Sequence, residues 1–120
     1  MPTTCCPAGN CLKLPNCLYD PSNPAAREFL WSKLKASYYD KGIKQFWTDG
    51  TEPAGAPGNV LPDDVVFHGG LPAAAAFMLW PVWHSQTVFE GAKAAGGEPS
   101  WSLARSAWAG SHRHNTVVVK

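Results

Sequence analysis

Two hydrophobic periods follow one another between residues 23 and 48. Leu30, Trp31, Leu34 and Tyr38 recur at helical spacing, while Arg27, Glu28, Lys33 and Lys35 can face water. Asn23 before Pro24 marks the start of that helix: asparagine can accept an orphan backbone N–H, and proline has no N–H to leave unpaired. Gly42 supplies the left-handed backbone that stops it. The run I-K-Q-F-W-T at residues 43–48 is then β-prone and ends in Asp49-Gly50, which suits a strand opening into a loop.

Residues 51–72 are dense in proline and glycine, which predicts a long irregular loop directly after Asp49, and such loops commonly carry function. Residues 73–95 return to helical composition, anchored by Phe77, Trp80, Val82, Trp83, Val88 and Phe89 and closing near Gly91, Gly96 and Gly97. Pro81 lacks a donor and crowds the preceding turn, so a kink is expected there or, as the favoured alternative, a helix that begins near Trp80. Residues 99–104 predict a short strand running into Arg105, and residues 116–119 form a β-branched run. The order α, β, loop, α, β, β predicts an α/β fold with parallel strands. In such folds catalytic groups gather at the C-terminal strand ends, where Asp49 and Arg105 lie.

Composition narrows the function classes. The 120 residues can bury one core, and 45% are hydrophobic against 16% charged, with six tryptophans to cover. A net charge of +1 without a basic block gives no reason to expect nucleic acid or an anionic membrane surface as partner. No apolar run approaches the roughly 18 to 20 residues needed to span a bilayer, and the first ten residues do not resemble a signal peptide. Cys5, Cys6, Cys11 and Cys17 are confined to the first seventeen residues. Their spacing fits paired zinc ligands poorly, and adjacent cysteines argue against a simple disulfide framework. Residues 1–18 are therefore expected to be an irregular cysteine-rich segment with free thiols, distinct from residues 19–120.

Trp47, Asp49 and Glu52 are the candidate chemistry: a carboxylate at a strand end, an aromatic beside it and a second carboxylate three residues on suggest a sugar site. The bland alternative is a pair of solvated loop carboxylates. The stretch YDPSNPAAREFLWSKLKASYYDKGIKQFWTDGTEP resembles glycoside hydrolase family 31, in which a D-P-x-N-P-x-A-R helix leads into G-I-x-x-F-W-x-D-x-x-E-P. After the loop, LWPVWHSQTVFEGAKAAGGEPSWSLARSAWAGSHRHNTVVV resembles the same family's next helix and its R-S-x-x-A-G-S-x-R strand.

That resemblance implies a slice of a (β/α)8 TIM barrel, from the helix before the fourth strand into the sixth. It further implies a retaining α-glycosidase for α-xyloside or α-glucoside substrates, whose two carboxyls stand ~5 to 5.5 Å apart. It assigns the nucleophile to Asp49, a sugar-lining indole to Trp47, a substrate-contacting guanidinium to Arg105 and a supporting role to Glu52. The family's acid/base aspartate falls beyond Lys120, so the rest of the barrel is expected to be needed. Val119, Thr48 and Gly50 depart from the family's usual residues. His84 and His68 read as packing residues; His112 and His114, two apart beside the last strand, would share a face without a third ligand, so neither metal nor cofactor is expected. Two other readings stay open: a catalytically inactive fragment with uncovered strand edges, and a small non-catalytic carbohydrate-binding module.

Overall fold

The computed structural model describes residues 19–52, 65–97 and 100–118. The expectations for the cysteine-rich segment, the centre of the proline-rich loop, Pro99 and Val119 lie outside the described residues.

Helix α1, Pro24–Ser37, begins where the Asn-Pro pair places it: Asn23 Oδ1 accepts from the Ala25 N–H at 3.0 Å. Arg27 Nη1 ties the entering chain down through the carbonyls of Pro21, at 2.7 Å, and Ser22, at 3.2 Å. The helix stops a residue before Tyr38, and the chain tightens into a 3-10 turn, Tyr39–Lys41, closed by Gly42 at φ 97°. Gly42 thus ends the tight turn rather than the α-helix. The change of pitch also shifts the apolar stripe by one position: Tyr39 is buried, and Tyr38 is 48% exposed.

Strand β1, Phe46–Thr48, is shorter than the apolar run predicts, with Ile43 half exposed before it. In the loop expected to be irregular, β2, Val66–Phe67, pairs antiparallel with β3, Leu71–Pro72, around a tight turn that uses Gly69 and Gly70 at positive φ. Helix α2, Ala73–Ala94, runs unbroken through Pro81 instead of starting near Trp80. Four consecutive alanines, the best helix formers, precede the proline. Ala73, Ala76 and Trp80 are buried on one stripe, so propensity and packing outweigh the lost hydrogen bond. Trp80 is gripped edge-on by Tyr19 and Phe67, at centroid distances of 5.8 and 5.7 Å.

Strands β4, Ser102–Ala104, and β5, Thr116–Val118, complete a parallel sheet in the order β1-β4-β5, with α2 as the crossover between β1 and β4. Ser102 and Ala104 are buried together with Val88 and Ala92 of α2. Trp31 of α1 lies so close to Gly91 of α2 that an added Cβ would meet its ring. Below the sheet, Ser100 Oγ donates to the Lys44 carbonyl and the Trp101 N–H to Gln45 Oε1, which fixes the entries of β1 and β4 at one level. Among the described residues β1 and β5 each have one strand neighbour. The layout is that of part of a (β/α)8 barrel.

Candidate active site

The register pairs Thr48 with Ala104, so the residues that follow, Asp49 and Arg105, leave the sheet side by side at its C-terminal rim. Arg105 Nη1 stands 3.2 Å from Asp49 Oδ1. Gly50 takes a left-handed conformation, φ 62°, and its N–H donates to the same Oδ1 at 2.8 Å. Asp49 Oδ2 accepts no hydrogen bond among the described residues.

Glu52 holds the other side of the guanidinium. Its Oε1 accepts from Arg105 Nη2 at 2.6 Å and Nε at 3.0 Å, and its Oε2 accepts from Ser106 Oγ at 2.6 Å. The Ser106 hydroxyl is the main reason the Glu52 carboxyl is held below the usual carboxylate range, with Arg105 adding to it. Buried Thr51 hydrogen-bonds the Ser106 hydroxyl and also reaches its carbonyl. Spacing alone does not reveal Ser106 or Thr51. They become visible once β1 and β4 are known to be parallel neighbours, because the residue after Arg105 then faces the loop after Asp49.

Trp47 of β1 stands in register with Leu103 of β4 and Val117 of β5 on one face of the sheet, and Asp49 and Arg105 follow just past the strand ends. This face is open, with Trp47 70% exposed, whereas buried Ser102 and Ala104 point the other way. A hollow of about 230 Å³ beside Trp47 is lined by Gln45, Phe46, Trp101 and Leu103. A second, of about 430 Å³, lies by Tyr39, Lys44 and Gly97. Neither includes Asp49 or Arg105. The structure thus joins Asp49, Arg105 and Glu52 by direct contact, with Trp47 two residues before Asp49 beside a separate hollow, and the described residues do not enclose a pocket around all four.

The histidines divide. His84 is mostly buried in α2; its Nδ1 shares a hydrogen bond with the Tyr19 hydroxyl, and burial lowers its pKa to about 4. His68, expected to pack, is exposed in the tight turn, and among the described residues its hydrogen bond is from the backbone N–H to Asp20 Oδ2 at 2.9 Å. His112 and His114 lie in a 3-10 turn, Ser111–His114, rather than on a strand, and His114 packs against Phe89.

The sequence matches the family described as "Glycosyl hydrolases family 31 TIM-barrel domain" over residues 7–118. It is 34% identical over 121 residues to "Alpha-xylosidase A" of Aspergillus niger, covering 83% of this chain and 16% of that protein. It is 33% identical over 100 residues to "Uncharacterized family 31 glucosidase ORF2" of Pseudescherichia vulneris, covering 83% and 18%. The crystal structure of a family 31 α-xylosidase from a soil metagenome, complexed with xylose, superposes with a TM-score of 0.74 at 34% identity, covering 82% of this chain and 14% of that one. The chain therefore spans less than a fifth of the length of these relatives.

Proposed function

The chain belongs to glycoside hydrolase family 31, as part of its (β/α)8 TIM barrel, and from that premise we propose that the protein is a retaining α-glycosidase with Asp49 as nucleophile. The observation that carries this reading is the contact of Asp49 with Arg105 at the C-terminal ends of neighbouring parallel strands, the rim where barrel enzymes do their chemistry.

Asp49 Oδ1 is fixed by Gly50 and Arg105, which leaves Oδ2 to attack the anomeric carbon while the bond to the leaving oxygen breaks. A second carboxyl gives its proton to that oxygen. It then takes a proton from water, whose oxygen bonds to the anomeric carbon and releases Asp49, and two inversions give net retention. Glu52 is not that second group, because both of its oxygens are occupied by Arg105 and Ser106. The acid/base and the walls that enclose the sugar come from the remainder of the barrel. Trp47 offers the apolar C–H face of the sugar a flat indole, and Arg105 offers its hydroxyls a donor. Such chemistry runs on two carboxyls and requires no cofactor. Relatives named for α-xylosidase activity, one of them holding xylose, favour an α-xyloside, with an α-glucoside as the runner-up.

Asp49→Asn in the full-length protein carrying this chain tests the assignment. Turnover should fall by on the order of a thousandfold or more, and a fluorosugar trap should cease to label the Asp49 peptide. Undiminished turnover, or labelling of another carboxylate in the unaltered protein, overturns it.

A further inference from the structure

We propose that Ser106 is a positioning residue that acts through Glu52 to set the orientation of Arg105 against Asp49, an inference that rests on Asp49 being the nucleophile. The groups form a directional chain. A serine hydroxyl has one proton to donate, and here it goes to Glu52 Oε2, 2.6 Å away. Its lone pairs are left for the Thr51 hydroxyl, which is buried and cannot turn to solvent. Glu52 then meets the guanidinium through Oε1 alone, which takes both Nε and Nη2. A carboxylate free of other partners would turn to present both oxygens to that edge, the common forked pairing. Ser106 prevents the turn. The guanidinium is planar and rigid, so the angle at which Glu52 holds one edge decides where Nη1 points, and Nη1 is the nitrogen that faces Asp49 Oδ1.

A hydroxyl with no expected contact to substrate or reacting atoms thus sets where the guanidinium meets the oxygen that the Gly50 N–H already holds. The ionised form of Glu52 is the one Ser106 favours, so the two interactions are coupled in titration as well as in geometry.

The test uses the full-length protein with α-xylosyl fluoride or α-glucosyl fluoride, whichever it turns over, because fluoride departs without an acid and the rate then reports on the nucleophile's side. Ser106→Ala should lower kcat/KM for fluoride release, which covers the steps through fluoride departure, about tenfold, the scale of one hydrogen bond to a charged group. It should also move the acidic limb of the pH profile to higher pH. Ser106→Thr, which keeps the hydroxyl, should restore both to within about twofold. If Ser106→Ala accumulates unfolded, Ser106→Cys carries the same comparison with a poor donor of similar size. A folded Ala or Cys variant whose rate changes less than about twofold with an unmoved acidic limb overturns the relay, as does a Thr variant as slow as the Ala variant. Labelling of Asp49 in the unaltered protein separates these outcomes from failure of the nucleophile assignment, which would leave Asp49 unlabelled.

Discussion

Two polar clusters sit on opposite sides of this sheet, and their surroundings give the same kinds of bond different meanings. At the C-terminal rim, Asp49 and Arg105 are each more than half exposed, yet they are ordered by Gly50, Glu52 and Ser106. On the helix side, Tyr19 and His84 are largely buried and uncharged, packed with Trp80. Exposed ion pairs contribute about 0 to 1 kcal/mol to stability, and the rim pair is exposed in a chain that spans less than a fifth of its relatives' length. Buried polar pairs are costly to break. Burial thus distinguishes the cluster proposed for chemistry from the one packed within the fold.

The sharpest way to break that contrast is Asp49→Asn. It should remove activity by on the order of a thousandfold while changing unfolding free energy by less than about 1 kcal/mol. Kinetics and urea unfolding on the same preparation check the pair. A destabilisation of several kcal/mol would make the rim structural after all.

The converse holds at His84, where stability rather than rate should respond. Burial lowers its pKa from the ordinary 6.5 to about 4, so between those values the unfolded chain binds the extra proton and the native one does not. Stability from this group is complete above pH 6.5 and is lost as pH falls toward 4. The loss is roughly 3 kcal/mol, at about 1.4 kcal/mol for each pKa unit. In the doubly protonated ring Nδ1 can only donate, with the Tyr19 hydroxyl oxygen as its acceptor. His84→Gln should flatten the pH dependence of the unfolding midpoint across this window. A slope that survives the substitution would place the titrating group elsewhere.

How far these regions were legible in the sequence follows the range of the forces involved. Asn23-Pro24 announces α1 because an N-cap is local chemistry. The parallel sheet follows from the order of elements, and the meeting of Asp49 with Arg105 follows from placing both at strand ends. Tyr38 and Tyr39 exchange roles because a single 3-10 turn alters the pitch, which hydrophobic spacing at constant period misses. Pro81 misleads for the opposite reason: a local rule is overridden by the burial of Trp80 and Ala76, partners set by the tertiary fold. Ser106 depends on register between strands more than fifty residues apart, and nothing near it in sequence carries that information.

The helix side should also be sensitive to shape. A Cβ on Gly91 would stand 2.1 Å from Trp31 Cδ2, near the root of the ring where the side chain cannot swing away. Alanine is better than glycine in a helix by about 1 kcal/mol, but forcing the indole out should cost more, giving a net loss of roughly 1 to 2 kcal/mol for Gly91→Ala. In a Trp31→Ala background the same change should become neutral or stabilising, and a double-mutant cycle by urea unfolding measures the difference. Equal effects in both backgrounds would show that Trp31 does not fill the space that glycine leaves.

The smallest effect belongs to a pair that looks on distance alone as strong as any at the rim. Lys35 Nζ lies 2.6 Å from Asp40 Oδ1, the same separation as Arg105 Nη2 from Glu52 Oε1, with side chains 41% and 51% exposed. Lys35 is a flexible point charge on the last turn of α1, nothing else holds Asp40 among the described side-chain bonds, and water screens both. Asp40→Asn should therefore shift unfolding free energy by less than about 0.5 kcal/mol, and the shift should shrink further in high salt. A loss above about 1 kcal/mol that persists in salt would mean that exposure does not set the worth of a charge here, and the contrast between rim and helix side would lose its basis.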